Sequence, residues 1–204
     1  AQNFPKNVSM LQQFLSSENK NSKVRAIPGE GVDVPIWILG SSTESSVLAA
    51  SYGLPYAFAS HFAPAQIKNA FDFYKNNFQI NDVLQAPYTL ACVNVIIADS
   101  LQEAQRLATS FYMMFLGVIR NERRRMQAPI DSMDGIWNVN EEAMVRQMLT
   151  CSFIGTKEIV KRELSNFLNK IPCNEIMMSC PVYDLEARKI SMTYFSEIMS
   201  ELNE

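Results

Sequence analysis

The segment from Pro35 to Pro64, reading PIWILGSSTESSVLAASYGLPYAFASHFAP, constrains this chain more than any other. An apolar run, Ile36 to Leu39, breaks at Gly40-Ser41-Ser42, and the small residues through Ser45 and Ser46 to Tyr52 read as a helix that Gly53 stops. A second run, Tyr56 to Ser60, follows at once and delivers His61, the only histidine of the chain. Strand, small polar turn, helix and strand in that order form the repeating unit of a parallel α/β sheet. A helix N-terminus offers unpaired N–H groups and about half a positive charge. With the hydroxyls of Ser41, Ser42, Ser45 and Ser46 around it, the turn suits a phosphate. The same residues also read as an ordinary helix start capped by Ser42 or Thr43, and the motif alone supports both readings equally.

The rest of the chain repeats the alternation. Val8, Leu11, Phe14 and Leu15 fall at helical spacing between Asn7 and Ser17, and a polar stretch and the Pro28-Gly29-Glu30-Gly31 turn follow. Helices are predicted over Gln66 to Phe78, from Asp99 or Ser100 to Arg125, over Asn140 to Leu149, from Thr156 or Lys157 to Asn169, and over Tyr183 to Leu202. Strands are predicted near 36–39, 56–60, 88–98 and 175–180. Each is followed by a helix, so parallel pairing through right-handed crossovers is expected. The repeated unit fits a (β/α)8 barrel, whose working end is the C-terminal end of its strands. The domain reading is one partial barrel over 1–204, with 1–34 a connecting helix and loop and 35–204 four strand-helix units.

Charge and cysteine usage narrow the function classes. A net charge of -3 argues against a nucleic-acid partner, and no apolar run approaches the roughly 20 residues of a membrane span. A cytoplasmic location is expected. Cys92, Cys151, Cys173 and Cys180 show no CxxC spacing, so reduced thiols are expected and a zinc site is not. Phe111, Met113, Met114, Phe115 and Leu116 read as a helix face against the core. Arg120, Arg123, Arg124 and Arg125 read as the cationic end of that helix. Met177, Met178 and Cys180 are expected to alternate between the two faces of the last strand. Asp184 and Arg188 fall one helical turn apart.

Four separated motifs occur together in order: GSS with LAA and YGLPYAFASHFAP; Ala128-Pro129-Ile130-Asp131 with Trp137; Phe153-Ile154-Gly155-Thr156 before a helix; and Asn174 to Met178 with Val182-Tyr183-Asp184 and Arg188 to Ser191. From about Phe4 to the C-terminus the chain resembles the luciferase-like flavin-dependent monooxygenases of bacteria, the family of bacterial luciferase. The resemblance implies a fold: the C-terminal half, strands five to eight, of a (β/α)8 TIM barrel with mainly parallel strands. It implies an enzyme using reduced FMN and dioxygen to oxidise a small organic substrate such as an aldehyde, with a flavin reductase supplying the reduced flavin. Gly40, Ser41, Ser42 and Ser45 would hold the FMN phosphate, and Ser60 and His61 would line the flavin or substrate edge. No family role carries over to His61, which is a catalytic candidate only because it ends a strand. Family members begin with four further strand-helix units, and this chain opens at Ala1 without methionine. It is therefore expected to be the C-terminal portion of a longer enzyme, lacking the catalytic positions of the earlier strands. Its open sheet edges would be covered by the N-terminal half or by a second copy. The alternatives are a non-catalytic flavin-binding protein and a structural barrel fragment.

Overall fold

The computed structural model describes residues 3–32, 34–122 and 124–203. Its frame is a five-stranded parallel sheet. The strands are β1 (Ile38–Gly40), β2 (Tyr56–Phe58), β3 (Thr89–Ile97), β4 (Ser152–Gly155) and β5 (Glu175–Ser179). Around them run α1 (Phe4–Leu15), α2 (Thr43–Tyr52), α3 (Ile67–Asn77), α4 (Leu101–Ile119), α5 (Val139–Met148), α6 (Lys157–Lys170) and α7 (Leu185–Leu202).

The registers give the topology. β1 pairs with β2, Leu39 beside Ala57, and β2 pairs with β3, Ala57 beside Leu90. Leu90 and Ala91 also pair with Glu175 and Ile176 of β5, so β2 and β5 flank β3. Higher up, Asn94 pairs with Ser152 of β4 and with Ser179 of β5. β2 and β4 therefore share one edge of β3 in succession, and β5 lines the other. Among the described residues no strand pairs with the far edge of β1 or of β5.

Alternation along the strands sorts the core. Ile38, Tyr56, Phe58 and Ala91 pack with Ala49 and Ala50 of α2 and Ile67, Ala70, Phe71 and Tyr74 of α3. Val93, Val95 and Ile97, on the same face by parity, meet Phe153, Val160 and Leu164 of α6 and Ile198 of α7. Ile96 and Ile154 point the other way and pack with Leu107 and Phe111 of α4 and Val145 of α5. The upper half of β3 is thus covered on both faces, and all nine of its residues are buried. On the face shared by Leu39, Ala57, Leu90 and Met177 the cover ends, leaving Leu39 64% and Met177 54% exposed.

Several expectations change. Residues Ser152–Gly155, which lay outside the four expected strands, form β4, so the sheet has five strands and not four. The helix expected to reach Arg125 stops at Ile119. Asn121 adopts φ 56, its N–H donates to Val118 O at 3.1 Å, and the N–H of Glu122 donates to Gly117 O at 2.7 Å. That pair of bonds around a left-handed residue is a Schellman stop. Arg124 and Arg125 consequently lie beyond the helix, and Arg123 lies outside the described residues. At the last helix, Asp184 caps α7 by accepting from Ala187 N at 2.8 Å, while the Arg188 guanidinium donates to Val182 O and not to the Asp184 carboxylate. Phe111, Phe115 and Leu116 are buried as expected, whereas Met114 is exposed. Met178 packs with the α6–α7 core and Met177 faces outward, in line with alternation.

Candidate functional site

β1 and β2 run parallel, so their C-terminal ends bring two turns side by side. The N–H of Ala59 donates to Gly40 O at 2.8 Å, which joins the turn 40–42 to the turn 59–63. Ser42 is the N-cap of α2, with extended backbone and no side-chain cap on the first turn. The Ser42 side chain therefore leaves the first-turn N–H groups to other acceptors, and the Glu44 carboxyl takes its own N–H. A Cβ at Gly40 would run into Oγ and Cβ of Ser45, so glycine is required for α2 to start this close to β1.

The serines divide by what they already hold. Ser45 Oγ donates to Ser42 O at 2.6 Å and shares a hydrogen bond with Tyr56 Oη at 2.8 Å, and Tyr56 Oη reaches Ser42 O at 3.1 Å. Its hydroxyl shapes the turn from beneath. Ser46 Oγ turns back to Thr43 O. Ser60, expected at the ligand edge, is fully buried and donates to Cys92 O at 2.6 Å, so it fastens the β2 turn to β3. That leaves Ser41 and Ser42, both half-buried, as the hydroxyls at the mouth of the turn. The Glu44 carboxyl also sits there, held below its ordinary range by the Ser42 hydroxyl and its own N–H. Burial raises the Tyr56 phenol to about 12 and keeps it neutral.

His61 lies in the adjoining turn. Phe62 N and Ala63 N both donate to Ala59 O, and the imidazole stands edge-on to Phe62 with ring centroids 4.8 Å apart. Its Nδ1 is buried and has no hydrogen-bond partner. Burial lowers its pKa, which favours the neutral ring near pH 7. A residue that the sequence did not single out supports this turn. Asn94, 2% exposed within β3, donates from Nδ2 to His61 O at 2.6 Å and to Ser152 Oγ at 3.2 Å. A lone asparagine in the apolar run VNVIIA was the available signal. The nearby thiols of Cys92 and Cys151 are raised by burial, Cys151 to about 11, so neither offers a thiolate at pH 7.

Other features stand apart from these strand ends. A groove of about 630 Å³ opens at the opposite ends of β1 and β2, among Ile36, Leu54, Pro55 and Leu84. Arg120 is bound to Glu141 and to Ile136 O, and Arg124 to Glu122. Among the described residues no group of three or more His, Cys, Asp or Glu side chains is placed to hold a metal ion, and no helix is long and apolar enough to cross a membrane.

Comparison with known proteins gives a consistent picture. Residues 13–169 match the luciferase-like monooxygenase family. The chain is 40% identical over 198 residues to protein YvbT of Bacillus subtilis (strain 168), covering 97% of this chain and 59% of that one. It is 38% identical over 200 residues to a luciferase-like monooxygenase of Escherichia coli (strain K12), covering 98% and 60%. The crystal structure of apo-MsnO8 superposes with a TM-score of 0.79 at 19% identity, over 98% of this chain and 60% of that one, which establishes a shared fold. The chain spans about three fifths of the length of the curated relatives it matches.

Proposed function

The chain belongs to the luciferase-like monooxygenase family, and from that membership and the strand-end geometry we propose that it carries the phosphate-binding portion of an enzyme that uses reduced FMN and dioxygen to oxidise a small organic substrate such as an aldehyde. On this reading the described sheet is the C-terminal half of a (β/α)8 barrel. The unpaired edges of β1 and β5 are where the remaining strands join. The observation that carries the reading is the uncapped start of α2, wedged against Gly40 beside the His61 turn.

The residues present fit an FMN phosphate. The first-turn N–H groups of α2 and the hydroxyls of Ser41 and Ser42 would receive it, with the positive end of the helix favouring the dianion. Gly40 and Ser45 set the shape of the seat without spending donors on it. The half-buried His61 ring would line the flavin or substrate edge, with its Nδ1 turned into the protein and unpartnered. Bound reduced flavin supplies the electrons and the reaction with dioxygen.

A titration of this chain with FMN and, in parallel, with riboflavin tests the proposal. FMN should bind saturably and more tightly than riboflavin, because only FMN carries the phosphate. The Ser41→Ala, Ser42→Ala double variant should weaken FMN about tenfold or more, since one hydrogen bond to a charged group is worth about 1.5 kcal/mol. Equal affinity for FMN and riboflavin, or for parent and variant, would remove the phosphate from this turn. FMN binding without turnover by the isolated chain would favour the second reading, a flavin-binding module that needs the remaining strands for chemistry.

A further inference from the structure

We propose that Asn94 is the positioning residue for His61, fixing the main chain of the β2 turn and with it the place of the imidazole at the strand ends. The inference rests on the reading of those strand ends as the flavin and substrate edge, and it adds a residue from the centre of the sheet to that site.

The turn after β2 is fastened at two successive points on one face of β3. Ser60 Oγ donates to Cys92 O at 2.6 Å, and two residues along β3 the Asn94 amide donates to His61 O at 2.6 Å. The second proton of the same amide reaches Ser152 Oγ at 3.2 Å, so one side chain ties together the exit of β2, the middle of β3 and the start of β4. Burying an amide on the face of β3 that carries Cys92 and Ile96 is costly unless it is bonded. A staple alone would explain that cost. It would not explain the histidine beside it, whose buried Nδ1 is left without a partner although Ser60, Ser152 and Asn94 lie in the same neighbourhood. A buried polar atom that the protein leaves unpaired is a penalty the fold must hold in place. The short bond to the His61 carbonyl is the element that holds it. Burial is the cause of the ring's depressed basicity.

Because the chain has one histidine, its ring gives one unambiguous NMR signal. The test labels that ring in the parent chain, in Asn94→Leu, which keeps nearly the shape and removes the donor without adding a charge, and in Ser152→Ala, which removes only the second acceptor. With the fold confirmed by circular dichroism, Asn94→Leu should shift or split the ring signal and move its protonation midpoint up toward the ordinary value of about 6.5. Ser152→Ala should leave both unchanged. Added FMN should perturb the ring in the parent at least threefold more than in Asn94→Leu, while inorganic phosphate alone should leave the ring signal in place. If Asn94→Leu does not fold, Asn94→Ser, too short to reach His61 O, takes its place. A folded variant whose ring signal and midpoint coincide with the parent's overturns the proposal. If FMN fails to bind the parent, the proposed function falls, and the ligand-free ring comparison still decides the role of Asn94.

Discussion

Substituting Gly40 by alanine puts the close approach of β1 and α2 to a quantitative test. Gly40 does not occupy the left-handed region, so alanine meets no backbone penalty there and the effect is steric. The new methyl would overlap Oγ and Cβ of Ser45. Ser45 cannot swing away freely, because its hydroxyl is committed to Ser42 O at 2.6 Å and to Tyr56 Oη at 2.8 Å. Overpacking of this kind costs about 1–3 kcal/mol, and breaking those bonds instead costs about 1 kcal/mol each. Either route predicts a loss of about 2 kcal/mol. Ser45→Gly removes both overlapping atoms and by itself should cost about 2–3 kcal/mol from the two lost hydrogen bonds and lower helix propensity. In the double variant the methyl has room, so its stability should match Ser45→Gly alone, a coupling of about 2 kcal/mol between the two sites. Urea unfolding followed by circular dichroism measures all four corners of the cycle. Additive losses, or a Gly40→Ala chain within about 0.5 kcal/mol of the parent, would refute the packing argument and with it the reason for glycine at this turn.

Three further outcomes follow from the same region and its surroundings. Glu44→Gln removes a carboxylate from the N-terminus of α2, where it competes with an incoming anion, and should tighten FMN about two- to fivefold at low salt; an unchanged affinity would place the phosphate elsewhere. Burial holds the Tyr56 phenol at about 12 against an ordinary 10, so the fold favours the neutral form and stability should decline as pH rises from 10 toward 12. Tyr56→Phe should flatten that alkaline decline in a denaturation series. The Arg120 guanidinium and the Asn138 N–H lower the Glu141 carboxyl to about 2, so the stability from that charge is complete above the ordinary carboxylate range and disappears as pH falls from about 4.5 to 2. Glu141→Gln should remove that acid-side dependence, and a parallel acid profile for both chains would count against the assignment.

The parts of the fold that long patterns encode were legible in the sequence. The β-branched run at 88–98 is β3, and the helix stop at Gly53 and the starts at Ser100 and Thr156 lie where their side chains predict, while the last helix, expected from Tyr183, starts after Asp184. β4 was not legible, because four residues between two helices are too few to show an alternation, and its identity as a strand comes from pairing with Asn94 to Ile97. The early end of α4 was written in Asn121, a residue suited to the left-handed position, but the arginines after it read as helical. At the site, the glycine and the serines were visible as a set, yet sequence cannot tell a hydroxyl that faces a ligand from one spent on a neighbour. Ser45 and Ser60 are of the second kind, through Tyr56 and Cys92, partners 11 and 32 residues away. Asn94 escaped notice for the same reason, since its meaning lies in the His61 carbonyl across the sheet.

The two-sided pairing of β3 bears on how the chain is made. Its first edge is closed over Thr89–Ala91 by β2, which precedes it, and over Asn94–Ile97 only by the later β4, while its second edge waits for β5: Thr89 and Asn174 exchange hydrogen bonds across a separation of 85 residues. The N–H of Ile97 is satisfied only by Ser191 Oγ, 94 residues further on. A ribosome emitting this sequence therefore holds a nine-residue apolar strand with one bare edge until most of the remaining chain has emerged. Contacts so remote in sequence slow folding and leave such an edge open to the wrong partner. The demand for a chaperone, and the yield lost without one, should accordingly be set by the last thirty or so residues of the chain rather than by the turn that gives it a function.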